Sequence, residues 1–365
     1  MRSFVPRLIV WLYIFLASAA FAAEPNARIE TIARGLDTAW AIAFAPDGRI
    51  FLTERPGRIR VIKDGELQSE PWLKIAVYEG GESGLLGLAL DPGFARGQRY
   101  VYTAYTYRDS DGKLKNRLVR LRDDNGKGAL DKILLDNAAG GSNHDGGRVR
   151  FGPDGKLYWT MGDAQESGLG QDLKSLNGKI LRINPDGSFP ADNSLPQSPV
   201  YSYGHRNPQG LAWQPESGRL YETEHGPSGI PCCHDEVNLI EPGKNYGWPA
   251  IYGDQSKAGM IAPVLQSGND TWAPGGATFV TRKESLWAGS FLFTGLRGQA
   301  LYRVVFDAKD PRKVALFERY FERKFGRLRD VTEGPDGALY LLTSNRDGRG
   351  RPGPEDDRVL RLVFK

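Results

Sequence analysis

"VRFGPDGKLYWTMGD", residues 149–163, is a short apolar run, a Pro-Asp-Gly turn and a second run rich in aromatic and branched residues. That grammar reads as a β-hairpin: proline presets φ for the first turn position, aspartate bonds locally to the backbone, and glycine takes the positive φ that reverses the chain. The pattern recurs in "IAFAPDGRIFLTE" from Ile42, "LALDPGFARGQRYVYTAY" from Leu88, "LAWQPESGRLYETEHG" from Leu211 and "VTEGPDGALYLLTSN" from Val331, with a weaker copy, "ATFVTRKESLWAGSFLFTG", from Ala277. The copies start about 45 to 65 residues apart, enough for a four-stranded sheet each, and no amphipathic helix of useful length intervenes. The expected fold is all-β, a six-bladed β-propeller of four-stranded antiparallel sheets; a sandwich or two smaller β domains need no such regular period.

The 365 residues divide into a leader and one folded unit. Arg2 and Arg7 precede the run "LIVWLYIFLASAAFAA", with small residues around Ala20 and Ala22 before "EPNAR", which is the pattern of a secretory signal over 1–23. The run is shorter than the roughly 20 residues a membrane-spanning helix requires. Residues 24–365 are therefore expected to form a single periplasmic or secreted catalytic domain with no membrane span. Lys plus Arg total 48 against 44 Asp plus Glu, and the net charge of +4 drops by two to +2 once Arg2 and Arg7 leave, which argues against nucleic acid as a partner. An apolar fraction of 40% with 45 glycines and 23 prolines fits a turn-rich folded protein rather than a disordered one. The only cysteines, Cys232 and Cys233, are neighbours, so no long-range disulfide staples the fold. The pair reads as free thiols or as a closed ring, with metal binding through "CCH" and His234 a third option.

A propeller gathers loops from every blade around its axis, and chemistry belongs there. "GGSNHDGG" precedes the third hairpin, "SYGHRNPQG" precedes the fourth and "EHGPSG" follows it; "TGLRGQALYRV" belongs to the fifth blade and "FGRLRDV" precedes the last hairpin. His144, Arg206, Asn207, Arg297, Arg327 and Arg329 are thus expected on one face. Four arginines with a histidine point to an anionic ligand and a proton to be moved. His205 and His225 read as structural, since neighbours on extended chain point to opposite faces.

The stretches "SNHDGGRVRFGPDGKLYWTMGD", "YSYGHRNPQGLAW", "EHGPSG", "DEVNLIEPGKNYGWP" and "GRLRDV" resemble the motifs of soluble pyrroloquinoline quinone (PQQ)-dependent aldose sugar and glucose dehydrogenases, from about Leu36 to the C-terminus. The resemblance implies a six-bladed propeller that carries PQQ and Ca²⁺ and oxidises the C1 hydroxyl of aldoses to lactones. It implies His144 as the base and Asp163 as the carboxylate supporting its loop. Arg206 and Asn207 fall around the quinone, and Arg297 near a quinone carboxylate where the glucose dehydrogenases have lysine. Arg327 and Arg329 fall where the cofactor is sandwiched and paired. By the same resemblance the backbone carbonyls of Gly226 and Pro227 hold the cofactor calcium, and Glu236 with the Tyr246 region holds a second, structural calcium. Two departures lie at the sugar pocket: Glu82 stands where the glucose dehydrogenases have glutamine, and Asn143 where they have aspartate. Trp272 either stacks on a sugar ring or packs a blade. The insertion "SGIPCCH" directly follows the calcium-binding "HGP", leaving its effect on that metal open.

The chemistry is coherent with these residue types. PQQ is a planar tricarboxylate with an electrophilic carbonyl, so its protein needs arginines for the carboxylates and a cation for the chelating edge. His144 would take the sugar C1 hydroxyl proton while hydride passes to the quinone, and Arg206 would stabilise the developing oxyanion. No haem-attachment CxxCH occurs, so electrons are expected to leave to a separate acceptor, a quinone or a cytochrome. Two other readings stand beside this one. A calcium-dependent lactonase or esterase would present carboxylates and asparagines to its cation rather than arginines, and a non-catalytic glycan-binding propeller has no use for a base.

Overall fold

A computed structural model describes residues 20–21, 23–229 and 232–364. The expected leader, 1–23, lies outside the described residues except for 20, 21 and 23; Ala20–Phe21 runs parallel to the strand Val314–Tyr320. No helix among the described residues is long and apolar enough to cross a membrane, and the helical pieces there are single 3₁₀ turns at Phe94–Arg96 and Ser167–Gly170.

Six antiparallel sheets follow one another along the chain, and each quoted hairpin supplies the first two strands of one sheet. Blade 1 opens with Ala39–Phe44 and Ile50–Glu54, blade 2 with Leu85–Leu90 and Tyr100–Arg108, and blade 3 with Val149–Phe151 and Leu157–Met161. Blade 4 opens with Pro208–Trp213 and Leu220–Glu224, blade 5 with Pro274–Phe279 and Phe291–Gly295, and blade 6 with Leu328–Glu333 and Leu339–Thr343. The first strand of each blade lies at one edge of its sheet, and the first strands of blades 1 and 2, 2 and 3, 4 and 5, 5 and 6, and 6 and 1 pack against one another. Blade 6 takes its fourth strand from the other end of the chain: Ala27–Ala33 pairs antiparallel with Val359–Phe364, with Ile29 opposite Leu362 and Thr31 opposite Leu360. That pairing closes the ring and removes a free sheet edge.

The repeated turn works as its residues dictate. Asp47, Asp154 and Asp336 each accept the backbone N–H two residues on, at 3.2, 3.1 and 3.2 Å, and Gly48, Gly155 and Gly337 take φ values of +87°, +71° and +78°. In the "PDGxLY" copies the tyrosine then returns to the turn: the Tyr158 and Tyr340 hydroxyls donate to Asp154 and Asp336 at 2.9 and 3.2 Å. Between blades 4 and 5 the core is aromatic, built from Tyr221, Phe279, Phe291, Phe293, Tyr302, Phe306 and Phe317. Where the inner strands converge, Arg148 of blade 3 donates to Asp330 of blade 6 at 3.1 Å and to the Gln209 carbonyl of blade 4 at 2.9 Å, with its guanidinium 4.5 Å from the Trp40 ring of blade 1. This buried pair ties four blades together beneath the cavity described next.

Phe291 is fully buried and contacts the rings of Tyr221, Phe279, Phe293 and Phe306. Phe291→Ala is expected to cost about 3–5 kcal/mol, read in urea as a lower unfolding midpoint at an unchanged slope; a loss below about 1 kcal/mol would place the stabilising contacts elsewhere.

Candidate active site

Loops from five of the blades and from the turn before blade 2 enclose a cavity of about 810 Å³ on the axis. Arg55, Glu82, Asn143, His144, Arg206, His225, Gly226, Pro227, Arg297, Arg327, Arg329 and Arg349 all line it. Among the described residues the wall holds six arginines against three carboxylates, Glu82, Asp235 and Asp347, which leaves three cations unbalanced.

His144 sits in the loop before blade 3 with φ +64°, a left-handed conformation unusual for a residue with a side chain. Hydrogen bonds on both sides of it hold the loop there. Its carbonyl accepts the Ala164 N–H at 3.1 Å, and the neighbouring Asp145 carboxylate accepts from Asn116 Nδ2 (2.7 Å), the Ser83 hydroxyl (2.8 Å) and the Gly141 N–H (3.1 Å). The imidazole Nδ1 is 2.7 Å from Asp163 Oδ1. Asp163 is itself fixed: its Oδ1 accepts the Gln165 N–H at 2.8 Å and its Oδ2 accepts Trp248 Nε1–H at 2.8 Å. A carboxylate so held accepts a hydrogen bond from Nδ1–H and leaves Nε2 as the basic nitrogen.

The arginines are placed by backbone and carboxylate contacts. Arg206 donates to the His225 carbonyl and the Ser228 hydroxyl, both at 3.2 Å, and its own N–H is held by Glu224 at 2.8 Å. Arg327 Nε donates to Asp347 at 2.7 Å, and Arg329 Nη1 to Gln209 Oε1 at 2.5 Å. The Nε atoms of Arg329 and Arg55 are buried with no partner. Burial pushes Arg329 down to about 9, repulsion from Arg327 and Arg55 adding to the effect while Asp347 and Glu82 oppose it. Burial lowers Arg206 too, against the attraction of Asp163 and Glu82. Unpartnered donors and destabilised cations in one cavity fit a bound polyanion of the tricarboxylate kind.

Two places suit a cation. At Gly226 the carbonyl oxygens of Cys233 and His234 come so close that a Cβ would stand 2.0 and 2.2 Å from them, so the "SGIPCCH" insertion folds its backbone oxygens onto the "HGP" turn. Asp235, whose carboxylate holds the Gly226 N–H at 2.9 Å, lies beside it. Oxygen donors of this kind are what calcium takes. The second place lies outside the main cavity. Glu222, Glu224 and Glu236 are buried together with Asn238 Nδ2 donating to all three at 3.2–3.3 Å, while Glu222 Oε1 and His205 Nδ1 have no hydrogen-bond partner. Burial and the charge of Glu224 hold the Glu222 and Glu236 carboxyls well above the usual range, as expected of clustered acids without a cation. The Tyr246 hydroxyl is committed to the Leu239 carbonyl and the Glu241 N–H, and its ring stacks on His205.

The structure brings His144, Asp163, Arg206, Arg297, Arg327, Arg329, Glu82 and Asn143 together and corrects several other expectations. Trp272 does not reach a sugar: its ring is buried against Phe293, Tyr302 and Phe317 in blade 5, because its backbone N–H is drawn to Asp235 at 2.7 Å. Asn207 stands behind the wall, accepting the Gly146 N–H and donating to Glu82, so it shapes the loop without lining the cavity. His205 is structural as expected, but His225 lines the cavity while its Nε2 meets the Pro274 carbonyl at 2.9 Å. Cys232 and Cys233 are joined as a disulfide in the wall. Sequence reasoning missed Arg55, Asp347 and Arg349, although "TERPG" and "SNRDGRG" follow second strands just as Asp163 does in blade 3.

A propeller whose axial cavity sets a histidine–aspartate pair among unbalanced arginines defines an enzyme site for a polyanionic cofactor and a proton abstraction. Residues 36–355 match the family model described as glucose/sorbosone dehydrogenase, and the chain belongs to that family of PQQ-dependent sugar dehydrogenases. It is 33% identical over 359 residues to an aldose sugar dehydrogenase of Escherichia coli K12, across 92% of this chain and 95% of that one. To quinoprotein glucose dehydrogenase B of Acinetobacter calcoaceticus it is 32% identical over 333 residues, 80% of this chain and 68% of the relative. The PQQ-bound aldose sugar dehydrogenase of Streptomyces coelicolor has the same fold, with a TM-score of 0.81 at 38% identity over 93% of this chain and 99% of that chain. The chain is thus a PQQ-dependent oxidoreductase acting on sugars.

If Arg329 pairs with a cofactor carboxylate, as the family resemblance implies, binding of that cofactor is pH-dependent. A carboxylate placed beside Arg329 raises its pKa from about 9, so binding takes up a proton above that pH. Equilibrium titration of the cofactor-free protein with PQQ is expected to give a flat affinity from pH 7 to about 8.5 and a decline of up to tenfold per unit beyond about 9. An affinity constant across pH 9 to 10 would contradict the placement of Arg329.

Proposed function

We propose that this chain oxidises the C1 hydroxyl of aldoses to the lactone with PQQ and Ca²⁺ in the axial cavity and His144 as general base. A separate quinone or cytochrome takes the electrons, and the protein works in the periplasm or outside the cell. The observation that supports the reading is the His144–Asp163 hydrogen bond inside a cavity whose arginines outnumber its carboxylates. PQQ, when bound, would supply the hydride acceptor, and a calcium ion held by the Gly226 and Pro227 carbonyls would supply a Lewis acid beside it. The chain's own residues do the rest. Asp163 keeps the imidazole in the tautomer whose Nε2 accepts the C1 hydroxyl proton, and it stabilises the imidazolium that results. Arg206 faces the negative charge that develops as the proton leaves. Arg327, Arg329 and Arg297 hold the cofactor carboxylates, while Glu82 and Asn143 offer acceptors and a donor to the sugar hydroxyls. The Glu236 cluster takes a second calcium with a structural role. The cationic wall favours this chemistry over a lactonase, whose central cation calls for carboxylates.

Dye reduction by the purified protein is expected to require PQQ, Ca²⁺ and an aldose together. His144→Asn, which keeps a side chain tolerant of the +64° backbone, is expected to bind PQQ normally and to lose about 10²–10⁴-fold in turnover. Turnover that survives this change, or that proceeds without PQQ, would refute the assignment.

A further inference from the structure

Glu82 lies against the base, and its two oxygens are used from opposite sides. Oε2 accepts the His144 backbone N–H at 3.2 Å and Asn207 Nδ2 at 3.0 Å; Oε1 accepts Arg349 Nη1 at 3.0 Å. Arg349 Nη2 also donates to Asn143 Oδ1 at 2.5 Å. This arginine comes from the loop that leaves the second strand of blade 6. Its backbone N–H is fixed by Asp347 at 2.9 Å, and the other oxygen of Asp347 holds Arg327 Nε. One guanidinium therefore spans from blade 6 to both residues that flank His144.

Charge explains why the site needs it. An unbalanced carboxylate beside the His144 loop draws a proton onto the imidazole, and a protonated imidazole is no base. Burial pushes Glu82 up, yet the attraction of His225, Arg349 and His144 outweighs it and holds the carboxyl down at about 2, so Glu82 is an anion at any working pH. The charged groups around the base and Glu82 are Asp163 from blade 3, Arg206 from blade 4, and Arg329 and Arg349 from blade 6, with Asp145 beneath the loop; the buried His225 imidazole, its pKa lowered by burial, stands beside them. Of these arginines, Arg349 donates a hydrogen bond to the Glu82 carboxylate, and it remains half exposed at the cavity mouth.

We infer that Arg349 is a positioning residue for the sugar oxidation: it balances the Glu82 carboxylate and fixes Asn143, the two groups that flank the His144 base. The inference rests on His144 being the base, and its test does not need turnover. Ring-proton NMR of the cofactor-free protein follows the His144 titration directly, assigned by the signals absent from His144→Asn. Arg349→Ala is expected to move the midpoint up by about one pH unit, Glu82→Gln to move it down, and the double variant Glu82→Gln/Arg349→Ala to return it to the wild-type position. Arg349→Lys, which keeps the charge, leaves it in place. In the PQQ- and Ca²⁺-loaded protein the acidic limb of kcat/KM moves in the same directions. A merely structural arginine gives no opposed shifts that cancel. An unmoved midpoint in Arg349→Ala, or a double variant displaced as far as Arg349→Ala alone, overturns the inference. Shifts as expected without dye reduction under any condition uphold the charge balance and refute the proposed activity instead.

Discussion

The backbone pairing between Ala27–Ala33 and Val359–Phe364 is the seam on which the rest of the molecule depends. Five of the blades bring one to three groups each to the site: Arg55 from blade 1, His144 and Asp163 from blade 3, Arg206 from blade 4, Arg297 from blade 5, and Arg327, Arg329 and Arg349 from blade 6. None of these makes a site alone. Blade 6 meets Glu82 and Asn143 only because the ring is closed, and closure comes from Ala27–Ala33 joining Val359–Phe364. The Arg148–Asp330 pair repeats the constraint at the axis, since a buried ion pair holds only where both partners are locked in register.

Closure also forces like charges together. Burial disfavours the Arg329 cation, and the neighbouring Arg327 and Arg55 add to the effect. The fold opposes that repulsion with Asp347 on Arg327, Glu82 on Arg349, and carbonyls on Arg206 and Arg327. What these leave unbalanced is the charge of a tricarboxylate. Stability and cofactor binding are therefore linked: a ligand that binds only the closed ring and cancels its excess charge stabilises the ring by mass action.

The architecture was legible because its signal is local. A Pro-Asp-Gly turn with an aspartate that bonds two residues on is complete within a few residues and recurs in blades 1, 3 and 6, with a tyrosine that returns to it in blades 3 and 6. The main site residues were legible for the same reason, since His144, Arg206 and Arg327 occupy equivalent loops before their hairpins. What was not legible depends on contacts far apart in sequence. Arg349 meets Glu82 across 267 positions, and nothing in "DGRG" announces that partner. Trp272 carries the same letters whether its ring faces a sugar or Phe317, and only the pull of Asp235 on its backbone decides. The Glu222, Glu224 and Glu236 cluster appears once register is known, because Glu224 lies opposite Glu236 and Glu222 opposite Asn238 on paired strands.

The most direct test of the account is a crystal structure of the protein loaded with PQQ and Ca²⁺. It predicts cofactor density inside the axial cavity in contact with Arg206, Arg327 and Arg329, with a calcium ion against the carbonyls of Gly226 and Pro227. PQQ bound elsewhere on the protein, or a cavity that stays empty at saturating PQQ and Ca²⁺, would contradict it.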